Sequence, residues 1–154
     1  MGYILELRKL VGSRPLFSPG ATVVAFNDHG QVLMQLRSDT HTWGFPGGSS
    51  ELGDSLLQTA QRELLEETGL TASSYEFVTV LSGREFRFTY PNGDEIYHVG
   101  AVFVARGLSG VLQSDHESLE LRWLARDALP PNLAGPITLW VVQHLESLFA
   151  GDFS

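Results

Sequence analysis

Gly48-Ser49-Ser50-Glu51-Leu52-Gly53-Asp54-Ser55-Leu56-Leu57-Gln58-Thr59-Ala60-Gln61-Arg62-Glu63-Leu64-Leu65-Glu66-Glu67-Thr68-Gly69-Leu70 is the stretch on which the reading of this chain turns. Its second half has the composition of a helix, with Asp54 or Ser55 able to cap the start and Gly69 able to end it. Leu56, Leu57, Ala60, Leu64 and Leu65 supply an apolar stripe. Beside that stripe stand Glu63, Glu66 and Glu67. At 100° per residue they share one arc of about 100°, and the 63/66 and 63/67 pairs have spacings that meet on a helix surface. Arg62 is the one cation nearby. Like charges so placed destabilise a helix by roughly 0.2–0.5 kcal/mol per pair. Such glutamates are either a solvated helix face or oxygen ligands for a hard divalent cation, Mg²⁺ or Mn²⁺.

The remainder of the chain narrows the partner. With 154 residues and 43% hydrophobic composition it can bury a core as one domain over residues 1–154. Net charge is −8, which opposes binding to a nucleic acid duplex or an acidic membrane. A small polyphosphate stays compatible when metal ions cancel its charge locally. There is no cysteine, so disulfides, thiolate catalysis and zinc–thiolate sites are excluded. No apolar stretch has the length of a membrane span, and residues 1–10 lack the basic-then-apolar pattern of a signal peptide. A cytoplasmic protein is the expectation.

Residues 20–26 and 31–37 read as two strands joined at Asn27-Asp28-His29-Gly30, forming a hairpin. Trp43-Gly44-Phe45-Pro46-Gly47-Gly48 is a glycine-rich bend. Residues 75–81, 96–105 and 120–124 read as further strands, with a type I′ hairpin turn at Asn92-Gly93 after Phe86, Phe88 and Tyr90. From Pro136, the spacing of Ile137, Trp140, Val141, Leu145 and Leu148 predicts an amphipathic helix on a sheet. Residues 2–11 fit an edge strand or a contact in a homodimer. The class is α/β.

Gly48 to Leu70 closely resembles the Nudix (MutT-like) signature. Gly48, Arg62, Glu63, Leu64, Glu66, Glu67, Gly69 and Leu70 all fall on it, and Asp54 stands where the pattern has Glu. The approach Trp43 to Gly48 and the later stretch Glu117 to Pro130 resemble the family as well. The resemblance implies an α/β/α sandwich with a mixed β-sheet between helices. It also implies metal-dependent hydrolysis of a nucleoside diphosphate linked to another moiety. Glu63, Glu66, Glu67 and the Gly47 carbonyl would hold Mg²⁺ or Mn²⁺, and Arg62 would orient a carboxylate by a forked ion pair.

The cation would neutralise the diphosphate, and a carboxylate must take a proton from water. That base is a box glutamate, Glu63 or Glu66, or else Glu117 or Glu120 outside the box. Arg37, Trp43, Phe45 and Gly48 are the candidate substrate-binding residues. Three have a structural alternative: Arg37 pairs with Asp39 or another surface acid, and the two aromatics belong to the core of the bend. A nucleotide-binding sensor that does not hydrolyse is the rival reading.

Overall fold

The computed structural model describes residues 2–153, so Met1 and Ser154 of the expected domain lie outside the described residues. A mixed sheet is built from β1 (Leu16–Ala25), β4 (Gly47–Ser49), β5 (Leu70–Leu81), β6 (Arg87–Thr89) and β7 (Glu95–Gly110). β1 lies parallel to β7, and the other pairings are antiparallel. A second, antiparallel sheet joins β2 (Val32–Arg37) to β3 (Trp43–Gly44) and β8 (Ser118–Leu124). One long helix, α2 (Leu56–Thr68), packs on one face, while α3 (Gly135–Gln143) and α4 (Leu145–Ala150) cover the other.

Both faces of the C-terminal half of β1 are buried, and this separates the two cores. Val24 and Phe26 point to α3 and α4, where they meet Val102, Val104, Met34, Val141, Leu145 and Leu148. Ala21, Val23 and Ala25 point to α2, where they meet Ala101, Phe103, Ala105, Ala60 and Leu64. Alanine dominates that second seam. Small side chains on both surfaces let the helix axis come close to the sheet.

The expected hairpin of residues 20–26 and 31–37 is reduced to a single bridge between Phe26 and Val32. β1 already has a neighbour on each side, β4 and β7, so β2 has no edge to join and starts the second sheet. Residues 2–11 are not a strand. They form helix α1 (Tyr3–Val11), which has no buried residue. It is tied down by polar contacts, from the Tyr3 N–H to Glu51 at 3.1 Å and from Arg8 to the Glu95 carbonyl at 2.7 Å.

The β6–β7 hairpin forms, but not through a type I′ turn. Gly93 alone has positive φ, and its N–H bonds the Tyr90 carbonyl at 2.9 Å. This is a three-residue loop ending in a left-handed glycine. The C-terminal helix breaks at His144 into α3 and α4. Among the described residues no helix is long and apolar enough to cross a membrane.

Ser55, not Asp54, caps α2. Its hydroxyl accepts from the Gln58 N–H at 3.0 Å while the Gln58 side chain accepts from the Ser55 N–H at 2.8 Å, a complete capping box. Gly69, left-handed at φ 76°, closes the helix. Ser55→Ala should cost about 1 kcal/mol, read as a melting temperature lower by about 2–4 °C. An unchanged melting curve would show that the cap contributes nothing.

Candidate active site

The buried side of α2 is set by Thr59, Ala60, Glu63, Leu64, Glu67 and Thr68. Leu57 and Leu65 of the expected apolar stripe are instead exposed. The helix is thus rotated so that two of its glutamates face the sheet. Glu63 is 9% exposed and Glu67 3% exposed. Glu66 lies about 60° round the helix from Glu63, and its side chain is 58% exposed.

The glycines of the bend make room for these carboxylates. A Cβ on Gly48 would stand 2.6 Å from the Glu63 carboxyl, and one on Gly47 would meet the Ala21 carbonyl at 2.4 Å. The Gly47 N–H donates to Glu67 Oε2 at 2.8 Å, and the Gln35 amide donates to Oε1 at 3.4 Å. Arg62 fans out beside them. It donates to Glu63 at 2.8 Å, to Asp54 at 3.1 and 3.4 Å, and to the Ser49 carbonyl at 3.2 Å. Glu66 is 3.6 Å from the same guanidinium. Because Ser55 takes the cap, Asp54 is free to anchor Arg62. The shorter side chain at this position still reaches it.

Burial pushes the Glu63 carboxyl up to about 7, with the Glu66 and Glu117 charges adding and Arg62 opposing. Burial also raises Glu67 well above the usual carboxylate range. The charge of Glu63 adds to this rise, and the Gly47 N–H works against it. Glu117 is exposed on the segment before β8, within electrostatic reach of both. Glu120 is paired with Arg122 at 2.5 and 2.9 Å.

The three box glutamates therefore do not form one closed set in this conformation. Among the described residues no three carboxylate or imidazole groups converge on a cation-sized point. Burying Glu63 and Glu67 turns Glu66 outward, since the three cannot all face the sheet. The donor chemistry nonetheless suits a hard divalent cation: two buried, mutually repelling carboxylates, with exposed Glu66 and Glu117 at hand.

The candidate substrate residues sit differently from one another. Arg37 is engaged by Asp39 through two bonds of 2.9 and 2.7 Å, which hold the Asp39 carboxyl below its ordinary range. Trp43 and Phe45 are each 7% exposed and belong to the core. Arg122 covers one face of Trp43 at 5.4 Å from the ring centre, so no open stacking platform exists there. Gly48 serves the approach of Glu63.

Sequence reasoning missed Gln35, Ser118 and Tyr90. Gln35 and Ser118 are buried polar residues on neighbouring strands. The visible signal was a glutamine inside the apolar run of residues 32–36. Tyr90 is half-buried, and its phenol is pushed up by burial while feeling the charges of Arg37, Asp39, Arg8 and Glu117. His98 of β7 lies 6.4 Å from the Phe88 ring, and burial lowers it to about 4.

The Glu63 shift has a definite sign. The folded chain keeps a proton that the unfolded chain releases, so this group stabilises the fold at acid pH. That contribution is lost as pH rises from about 4.5 through about 7. In the absence of divalent cations, melting temperature should fall more steeply from pH 5.5 to 8 in the wild type than in Glu63→Gln. Equal slopes would contradict the shift.

The NUDIX domain family model matches residues 16–143. A MutT-like protein of Streptomyces ambofaciens is 30% identical over 136 residues, covering 88% of this chain and 80% of that protein. The 8-oxo-dGDP phosphatase of Mus musculus is 34% identical over 127 residues; 78% of this chain spans 36% of its length. Among solved structures, the NUDIX domain of Shewanella oneidensis NrtR, complexed with ADP ribose, superposes with a TM-score of 0.70 at 19% identity. That match covers 86% of this chain and 88% of the other. With the signature residues clustered on α2 and the family match extending from β1 to α3, this chain belongs to the Nudix hydrolase family.

Proposed function

We propose that the chain, acting as one domain, hydrolyses a phosphoanhydride bond in a small nucleoside diphosphate derivative with the help of Mg²⁺ or Mn²⁺. The observation that carries this is the pair of buried carboxylates, Glu63 and Glu67, pressed against the backbone of Gly47 and Gly48. Two anions so placed are costly unless a cation or protons neutralise them. When bound, the metal supplies charge neutralisation at the diphosphate and makes water easier to deprotonate.

The chain's own residues do the remaining work. Glu63, Glu66, Glu67 and the Gly47 carbonyl would hold the metal. Arg62, braced by Asp54 and the Ser49 carbonyl, holds one oxygen of the Glu63 carboxylate. Glu63 is the box glutamate assigned as the base that accepts a proton from water. Glu117 is the alternative base: its backbone is held by Ser38 while its side chain is exposed beside the site. The mouse relative is named for a nucleoside diphosphate and the solved neighbour holds ADP ribose. Both ligands contain a nucleoside diphosphate group, which supports that substrate class here.

The non-hydrolysing sensor has one observation in its favour, the outward-turned Glu66. A panel containing ADP-ribose, 8-oxo-dGTP, a dinucleoside polyphosphate and a nucleotide sugar separates the two readings. Hydrolysis predicts release of a nucleoside monophosphate from at least one compound, abolished by EDTA. Glu67→Gln should then lower turnover by about a hundredfold, or about 2.7 kcal/mol. Gly48→Ala should displace the Glu63 carboxylate and lower turnover at least about tenfold. No metal-dependent release from any compound would favour the sensor.

A further inference from the structure

We infer that Gln35 is a positioning residue for Glu67, and that Ser118 fixes the direction in which the Gln35 amide points. Gln35 lies in the middle of β2 and is 4% exposed. On the same face of the strand, Leu33 packs into the apolar core under α2, and the cross-strand partner Leu121 packs against it. A leucine at position 35 would satisfy that environment. A buried amide is unfavourable there unless its polar atoms are bonded, and its two bonds run to Glu67 of the site and to Ser118 of β8.

The Ser118 hydroxyl donates to Gln35 Oε1 at 3.0 Å, and Gln35 Nε2 donates to Glu67 Oε1 at 3.4 Å. With the carbonyl end held by Ser118, the NH₂ end faces the carboxylate. Against the ionised Glu67 that holds a cation, the flipped amide would set an oxygen against an oxygen. The other carboxylate oxygen of Glu67 is held by the Gly47 N–H at 2.8 Å. Glu67 is thus bracketed between β4 of one sheet and β2 of the other, and its plane is set from both sides.

The backbone is arranged for this contact. β2 and β8 slip register between Leu36 and Arg37: Leu36 faces Glu120, but Arg37 faces Ser118, so Leu119 is passed over. Without that bulge Leu119 would stand opposite Arg37, and Ser118 would turn to the opposite face of the sheet. The irregularity brings the Ser118 hydroxyl, 7% exposed, onto the face that carries Gln35. It also ties down the segment bearing Glu117, whose carbonyl accepts from the Ser38 N–H at 3.0 Å.

The inference rests on the hydrolase reading, and its test separates the two. Mn²⁺ binding to the full chain is titrated by electron paramagnetic resonance. Melting temperature and steady-state kinetics are measured on the compound that the panel identifies. Gln35→Met keeps the volume and removes the amide. It should weaken Mn²⁺ binding about tenfold and lower kcat with KM within about twofold, without lowering the melting temperature. Ser118→Ala should produce a smaller loss, and Ser118→Thr, which keeps the hydroxyl, should restore it.

Combining Ser118→Ala with Gln35→Met should be no worse than Gln35→Met alone, since the serine acts through the amide. Wild-type Mn²⁺ affinity and kcat in Gln35→Met, or additive losses in the double variant, would overturn the positioning role and leave the hydrolase reading intact. A wild-type chain that neither binds Mn²⁺ nor hydrolyses any compound would overturn both.

Discussion

The close seating of α2 on the β1–β4 backbone is the constraint from which the site follows. Ala21, Ala101, Ala105 and Ala60 keep the seam thin, and Gly47 and Gly48 remove the Cβ atoms that would otherwise strike Ala21 or Glu63. Only then can Glu63 and Glu67, four residues apart on one helix face, lie against the β4 backbone. Thicker side chains along this seam would lift the helix, and the carboxylates would return to water. Their raised proton affinities have the same origin, because burial is the first cause in both.

Arg62 converts that seating into an ordered site. Its planar fork reaches two carboxylates and a strand carbonyl at once, a geometry that a lysine could not reproduce. Asp54 takes part because the helix cap is supplied by its neighbour Ser55. On the far side, Gln35 and Gly47 hold Glu67. The two buried glutamates are therefore fixed by different parts of the fold: Glu63 by the loop preceding α2, and Glu67 by one strand from each sheet. Glu66 and Glu117, both exposed, have freedom to adjust to a ligand.

Where sequence and structure agree, the signals are local. The α2 boundaries were readable because a capping serine and a left-handed glycine act within a few residues. The burial of β1 and β7 was readable from their apolar runs. The errors arise where distant chain segments decide. The turn at residues 27–30 looks like a hairpin, yet β1 pairs with β4 and β7 because those strands occupy its edges. Leu57 and Leu65 look like core, yet the burial of two glutamates rotates them outward. Residues 2–11 alternate too irregularly to show that polar contacts with Glu51, Asp94 and Glu95 would hold a helix there. Trp43 lies in the core of the bend, the structural alternative read for it from the sequence. Gln35 was passed over because its role exists only through Ser118 and Glu67, which a strand pattern does not connect.

Glu63 and Glu67, buried side by side against Gly47 and Gly48, are proposed to form an oxygen site for a divalent cation. Anomalous diffraction from crystals grown with Mn²⁺ is the decisive measurement. A peak is expected within about 2.5 Å of a carboxylate oxygen of each residue, with Glu66 swung inward from its present exposed position. Well-ordered crystals with no peak between these carboxylates, and with Glu63 still bonded only to Arg62, would contradict it.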